Sequence, residues 1–152
     1  MNKSDIVITG YARTPMGSFH GSLSTEKATS LGSIAIKGAL TKANISEKDV
    51  DDIIMGCVLP AGLGQAPARQ SAIGAGIPNT AGATTINKMC GSGMRAAMIA
   101  NDQLVAGSSN ISIAGGIESM SNAPYVVPKV RAGLRMGHGE LKDHMFLDGL
   151  ED

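Results

Sequence analysis

The chain has 152 residues, and its 13 basic and 13 acidic side chains cancel to a formal net charge of zero. This balance argues against a nucleic-acid-binding protein, and the length suits one domain with a core better than a two-domain enzyme. Charged residues make up 17% of the chain, below the roughly 25% of an average soluble domain, and 20 residues are glycine. We therefore expect other protein to cover part of the surface, as in an oligomer.

Nothing in the sequence indicates secretion or a membrane. Two cysteines in unrelated contexts do not form a disulfide framework, and the amino terminus enters an apolar run at Ile6 without the regions of a secretory signal. No apolar run approaches the ~20 residues that a membrane helix needs. The sequence therefore predicts a soluble, cytoplasmic protein with no membrane contact.

Strand-like and helical patterns alternate along the chain. The predicted elements are a strand over 5–9, a helix over 25–43 ended by Asn44, a helical turn capped by Ser46, a strand over 53–59, a helix over 66–76, a strand over 83–86, a helix over 94–105 and a strand over 110–117. The near-continuous apolar character of 53–59 indicates a strand buried on both faces. Residues 96–100 are apolar on every side, as in a helix inside a core. The βαβαβαβ order predicts an α/β fold with right-handed crossovers.

The pattern changes near residue 120. Asn122 to Tyr125 interrupt regular structure with Pro124, and the following residues are rich in glycine and basic side chains. We predict an α/β domain over 1–120 and an excursion away from the sheet over 121–152.

The two cysteines lie in different patterns. Cys57 lies in the apolar run 53–59, which predicts a packing role. Cys90 lies between the predicted strand 83–86 and the predicted helix 94–105, and is followed by Gly91 and Gly93. Unpaired N–H groups and the dipole at a helix amino terminus stabilise a thiolate, and glycines permit a sharp turn and close approach of a ligand. This pattern predicts a nucleophile, with a small buried hydrophobe as the alternative.

Four motifs in order resemble those of thiolases, the acetyl-CoA C-acetyltransferases. They are RTPMGSF at 13–19, GQAPARQ at 64–70, NKMCGSGM at 87–94 and AGGIESMS at 114–121. The resemblance implies half of a thiolase fold, with a mixed, mostly parallel sheet and a buried central helix, followed by the start of an inserted loop domain. It implies that Cys90 is the nucleophile, with Gly91 and Gly93 forming the turn and an oxyanion site.

The reaction implied is the condensation of two acetyl-CoA molecules, or the cleavage of a 3-ketoacyl-CoA by CoA, through an acyl-cysteine. CoA thioesters are then substrates, no permanently bound cofactor or metal is implied, and the setting is fatty-acid or ketone-body metabolism. The resemblance places Leu150 in the tunnel for the pantetheine arm of CoA. It places Gln65 and Arg69 at a dimer seam, in a homodimer or homotetramer.

The resemblance also covers only part of the family's pattern. The family's later motifs N-E-A-F, G-H-P and C-x-G supply a water-holding asparagine, an activating histidine and a second cysteine, and none occurs in these 152 residues. The three histidines, His20, His138 and His144, lack a following proline and are interpreted as solvated or packed side chains.

We therefore expect little turnover from this polypeptide alone, and a half-uncovered helix around 96–100 that favours aggregation or a partner. Two alternatives stay open: a non-catalytic remnant or subunit that needs a partner carrying the missing half, and another thiolase-fold condensing enzyme such as a ketoacyl synthase.

Overall fold

Helices cover both faces of a small parallel sheet. The computed structural model describes residues 5–151. The first four residues of the predicted domain 1–120 and the last residue of the predicted segment 121–152 lie outside the described residues. The helices are α1 (Ala28–Ala43), α2 (Pro67–Ala75) and α3 (Ser92–Ala106), and the strands are β1 (Asp52–Gly56), β2 (Gly82–Ile86), β3 (Ser112–Gly116), β4 (Tyr125–Val126) and β5 (Lys142–Asp143). Three short 3₁₀ turns lie at Glu47–Asp49, Met120–Asn122 and Val130–Ala132, and one π-helical turn lies at Phe146–Leu150.

The central strand carries the core. β1 pairs in parallel with β2 on one side and β3 on the other. Ile53 and Met55 pack into the cluster formed with α1 and α2, whereas Ile54 packs against Ala96 and Ala100 of α3. Alternate side chains of a strand point to opposite faces, so α1 and α2 cover one face and α3 covers the other. The prediction of a doubly buried strand is confirmed.

Local signals end the helices at the expected places. Asn44 adopts the left-handed conformation after α1, and Ser46 accepts a hydrogen bond from the Lys48 N–H at the start of the next turn. Pro67 opens α2, where a missing N–H costs nothing, and Gly76 ends it with a positive φ.

The predicted strand over 5–9 is wrong. These residues have no strand partner, and Val7 and Ile8 are 68% and 89% exposed. β-branched side chains favour a strand, but a strand needs a neighbour to receive its hydrogen bonds. Within residues 5–151, the parallel sheet contains β2, β1 and β3 only, so the described order is αβαβαβ.

The prediction of a buried central helix is correct for one side of α3 only. Ser92, Ala96 and Ala100 are buried, while Met94 and Met98 are 75% and 52% exposed. The described residues cover a single face of this apolar helix, which confirms the expectation that it is half uncovered in this chain.

The residues after β3 depart from the sheet. β4 and β5 form an antiparallel ribbon, and the π-helical turn follows β5 directly. A domain boundary near residue 120 remains a prediction. None of the helices in residues 5–151 has both the length and the apolar character to cross a membrane.

Candidate active site

Three strand ends meet at one side of the sheet, which we call the carboxyl edge. It comprises residues 57–59 after β1, 87–91 after β2 and 117–119 after β3. The backbones stay in register past the strands, because the Cys57 N–H donates to the Ile86 carbonyl oxygen (2.9 Å) and the Ile117 N–H to that of Gly56 (2.8 Å). Ligands of open α/β sheets bind outside this edge.

Cys90 lies in a strained turn at the carboxyl edge. Met89, just before it, has a φ of 48°, which a non-glycine residue adopts at a cost of about 1–3 kcal/mol. The Asn87 side-chain oxygen accepts from the Met89 N–H (2.8 Å), and the Ser92 hydroxyl accepts from the Lys88 N–H (2.8 Å) while donating to the Met89 carbonyl oxygen (2.6 Å). The turn is thus held by side chains on both sides of an exposed thiol.

Glycines bring the start of α3 against the sheet. A Cβ on Gly56 would lie 2.5 Å from Ser92 Cβ and 2.7 Å from the Ser92 carbonyl carbon. Gly93 and Gly116 face each other closely, since a Cβ on Gly116 would already lie 3.8 Å from Gly93 Cα. Because no side chain intervenes, α3 begins directly over the strand ends, and its first residue follows Cys90 by two positions.

The predicted oxyanion glycines form part of this turn. Gly91 donates its N–H to the Lys88 carbonyl oxygen (3.1 Å), and its own carbonyl oxygen accepts from Arg95 (2.9 Å). Gly91 therefore closes the turn and caps α3. An oxyanion role for Gly91 and Gly93 stays a prediction.

Cys57 has the packing role that the sequence predicts. Its side chain is 2% exposed, and its thiol lies 3.6 Å from a Glu118 carboxylate oxygen. Burial, reinforced by the negative charge of Glu118, raises the pKa of the Cys57 thiol to about 12. Glu118 also accepts from the N–H groups of Val58 and Leu59, both at 2.9 Å. This carboxylate therefore ties the end of β3 to the chain that leaves β1.

Leu150 lies in the π-helical turn, 55% exposed. The turn is connected to the carboxyl edge: a Cβ on Gly149 would lie 3.0 Å from Leu59 Cδ2. His144 precedes the turn and is 5% exposed, with Nδ1 2.5 Å from the Asp148 carboxylate and Nε2 accepting from the Ala61 N–H at 3.4 Å. His144 is a packed side chain, as one of the two interpretations predicted, while His20 and His138 are exposed.

Gln65 and Arg69 lie at the amino end of α2, and both are exposed. The loop before α2 is ordered by Gln70, whose amide donates to the carbonyl oxygens of Leu63 (2.8 Å) and Gln65 (2.7 Å). A dimer seam at Gln65 and Arg69 stays a prediction.

Sequence reasoning missed two polar groups that organise the site. Glu118 belongs to the motif at 114–121, which does not by itself predict a role for it, although a carboxylate directly after a parallel strand is expected at the carboxyl edge. The pairing of His144 with Asp148 was also missed, although their i, i+4 spacing is that of side chains facing each other across one helical turn.

Comparisons with known proteins agree on one family. A family model described as the thiolase N-terminal domain matches residues 6–152. The chain is 53% identical to acetyl-CoA acetyltransferase 2 of Arabidopsis thaliana over 100% of this chain and 38% of that protein. It is 51% identical to the acetyl-CoA acetyltransferase of Schizosaccharomyces pombe, with the same coverage of both. The chain thus spans a little over a third of the length of these relatives.

A solved structure has the same fold. The acetyl-CoA acetyltransferase from Syntrophomonas wolfei superimposes with a TM-score of 0.91 at 38% identity, over 95% of this chain and 36% of that chain. The predicted α/β class with a mostly parallel sheet is therefore confirmed. Relatives named as cytosolic and as mitochondrial both match, so a cytoplasmic location stays a prediction.

Proposed function

This chain belongs to the thiolase family, and we propose that it supplies the acyl-accepting cysteine of an acetyl-CoA C-acetyltransferase. The observation that carries the proposal is the exposed Cys90 thiol, held in a strained turn at the carboxyl edge of a parallel sheet. Backbone strain held in place by its surroundings is typical of functional sites. Cys57, the other cysteine, is buried and its raised pKa keeps it a neutral thiol.

The first step is transfer of an acetyl group to Cys90. The Cys90 thiolate attacks the thioester carbonyl carbon of acetyl-CoA, and collapse of the tetrahedral adduct expels CoA as a thiolate that takes up a proton. The product is an acetyl thioester on Cys90. Because a thioester is exchanged for a thioester, the step is close to balanced in energy, as covalent catalysis requires.

The second step forms a carbon–carbon bond. A second acetyl-CoA loses a methyl proton, and its carbanion attacks the acetyl-Cys90 carbonyl to release acetoacetyl-CoA and the free thiolate. The general base for this proton comes from outside these 152 residues. The exposed, apolar Leu150 contacts the pantetheine arm, and the reverse direction is thiolysis of a 3-ketoacyl-CoA.

The test uses the protein as its source cell produces it, purified with its native partners. Acetyl-CoA is added without a second substrate, and peptide mass spectrometry locates the acetyl group. We expect acetylation of Cys90 in the wild type, none at Cys57, and none in Cys90→Ala. A wild-type protein that is not acetylated at Cys90 would overturn the proposal, and preference for an acyl-carrier protein over acyl-CoA would favour a ketoacyl synthase.

A second candidate, a subunit that needs a partner, is favoured by the exposed face of α3. Met94, Met98 and Val105 are 75%, 52% and 63% exposed, so one helix presents an apolar surface suited to burial against other protein. Size-exclusion chromatography of the 152-residue polypeptide distinguishes the cases. Association or aggregation, with acetoacetyl-CoA cleavage restored by a polypeptide carrying the missing motifs, supports the subunit; a monodisperse, cooperatively melting monomer contradicts it.

A further inference from the structure

We infer that His144 is a positioning residue for the acyl-CoA site, because its imidazole ties the Phe146–Leu150 turn to the chain that leaves β1. This inference rests on the proposed function, since it concerns how the turn that carries Leu150 is presented to substrate. Neither the reaction steps nor the resemblance assigns this histidine a role.

The imidazole makes two different hydrogen bonds from a buried position. His144 is 5% exposed, and its Nε2 accepts from the Ala61 N–H at 3.4 Å. A neutral imidazole has one donor and one acceptor, so the Nδ1 hydrogen points to the Asp148 carboxylate 2.5 Å away. One side chain therefore joins Ala61 on the β1 side to Asp148 inside the turn.

His144 contacts residues 58–61 through Ala61, and we call these four residues the strip. The strip is fixed on its other side as well. The Glu118 carboxylate accepts from Val58 and Leu59, and the turn rests on the same strip, since a Cβ on Gly149 would lie 3.0 Å from Leu59 Cδ2. Residues 58–61 thus lie between Glu118 of the carboxyl edge and His144 of the turn. Displacement of the turn relative to Cys90 is opposed by both polar anchors.

The turn itself is weakly anchored by apolar burial. Phe146, Leu147 and Leu150 are 49%, 38% and 55% exposed, and the buried apolar side chain of this segment is Met145. Single π-helical turns are rare and often occur at functional sites. A turn that exposes its apolar side chains needs polar contacts to hold one orientation. The His144–Asp148 hydrogen bond supplies one, because it joins the residue two positions before the turn to a residue inside it.

The rival explanation is a histidine that only stabilises the fold. Such a residue would lower thermal stability when replaced, but it would not change the affinity of a folded enzyme for acyl-CoA. A positioning residue changes KM more than kcat, because the turn binds the CoA arm rather than the reacting carbon. Steady-state kinetics at saturating and limiting acetyl-CoA distinguish the two.

The experiment compares four variants of the protein produced in its source cell. His144→Ala removes both hydrogen bonds, and His144→Gln keeps an acceptor within reach of the Ala61 N–H. Asp148→Asn weakens the second contact at a half-exposed position, and His138→Ala is the matched control at an exposed histidine. KM for acetyl-CoA, kcat and the melting temperature are measured for each.

We expect His144→Ala to raise KM about fivefold, the equivalent of about 1 kcal/mol of acyl-CoA binding, with kcat within about twofold of the wild type. His144→Gln should recover part of the loss, Asp148→Asn should raise KM about threefold, and His138→Ala should match the wild type. An unchanged KM in a folded His144→Ala variant would overturn the role. If that variant does not fold, an unchanged KM in Asp148→Asn would overturn it.

The experiments distinguish a failure of the proposed function from a failure of the role of His144. A wild-type protein that is not acetylated at Cys90 would overturn that function and the role of His144 with it. An acetylated wild type with a normal KM in both His144→Ala and Asp148→Asn would overturn the role of His144 alone.

Discussion

At each of two edges of the parallel sheet, one carboxylate accepts hydrogen bonds from two backbone N–H groups, but the consequences differ. At the opposite edge, which we call the amino edge, Asp51 before β1 accepts from the N–H groups of Asn110 (2.7 Å) and Ile111 (3.1 Å) before β3. At the carboxyl edge, Glu118 after β3 accepts from two N–H groups after β1. Each carboxylate thus ties β1 to β3, once at each end.

The surroundings of the two carboxylates differ. Asp51 is exposed, whereas Glu118 contacts the buried thiol of Cys57. The helices α2 and α3 begin at the carboxyl edge, because each follows a parallel strand, and the positive ends of their dipoles lie there. A carboxylate anchor therefore contributes stability at one edge and site geometry at the other.

The largest expected effect comes from the cysteines. Cys90→Ala should reduce acyl transfer by about a thousandfold or more, because no other group replaces the nucleophile. Cys57→Ala should keep turnover within about an order of magnitude, because the loss of this buried side chain changes core packing and not the nucleophile. Alkylation at pH 8 checks the difference directly: Cys90 should react and Cys57, with a pKa of about 12, should not. Equal labelling of both thiols in the folded protein would contradict the assignment.

The next largest effect is on the free energy of unfolding, and it differs between one glycine at each edge. Gly56→Ala should destabilise the protein by about 1–3 kcal/mol, because the new Cβ meets Ser92 Cβ at 2.5 Å and the Ser92 carbonyl carbon at 2.7 Å. Gly82→Ala meets Asp52 Oδ1, the movable end of a side chain, and should cost less than about 1 kcal/mol.

Denaturant unfolding and the rate of Cys90 acetylation together check this pair. Only Gly56→Ala should slow acetylation, because Ser92 holds the Cys90 turn. Equal losses for the two variants would remove the distinction between the edges.

A smaller effect concerns the anchor at the carboxyl edge. Glu118→Gln places an N–H₂ group where a carboxylate oxygen accepted a backbone N–H, and should cost about 2 kcal/mol, as for a hydrogen bond to a charged group. Hydrogen exchange should speed up at Val58 and Leu59. Unchanged protection of these two amides would show that Glu118 does not hold the strip.

The smallest effect is the pH dependence at the amino edge. The N–H groups of Asn110 and Ile111 hold the pKa of Asp51 below its ordinary value of 3.8. Its contribution to stability is therefore present above that ordinary pKa and is lost as the pH falls through the lower folded value. Asp51→Asn should be less stable than the wild type at pH 7, and the gap should close in acid. A gap that widens in acid would contradict this sign.

The sequence predicted most elements and missed particular contacts. Asn44 marks the end of α1 correctly because capping is local chemistry, and Cys57 is buried as its apolar neighbours predict. The strand over 5–9 was wrong because pairing depends on a neighbour that local propensity does not reveal. Glu118 and His144 were not given their roles because their partners lie 60 and 83 residues away along the chain.

Sequence alone determined the α/β class, the buried central strand and the candidate nucleophile. These follow from periodicity, from turn residues and from a motif of eight consecutive residues around Cys90. Only the tertiary structure decided that Met89 is strained and that the missing side chain of Gly56 lets α3 pack against the end of β1. It also decided that Glu118 and His144 hold residues 58–61 between them. These contacts join distant parts of the chain, and whether two such groups meet depends on the packing of the whole fold rather than on their local sequence.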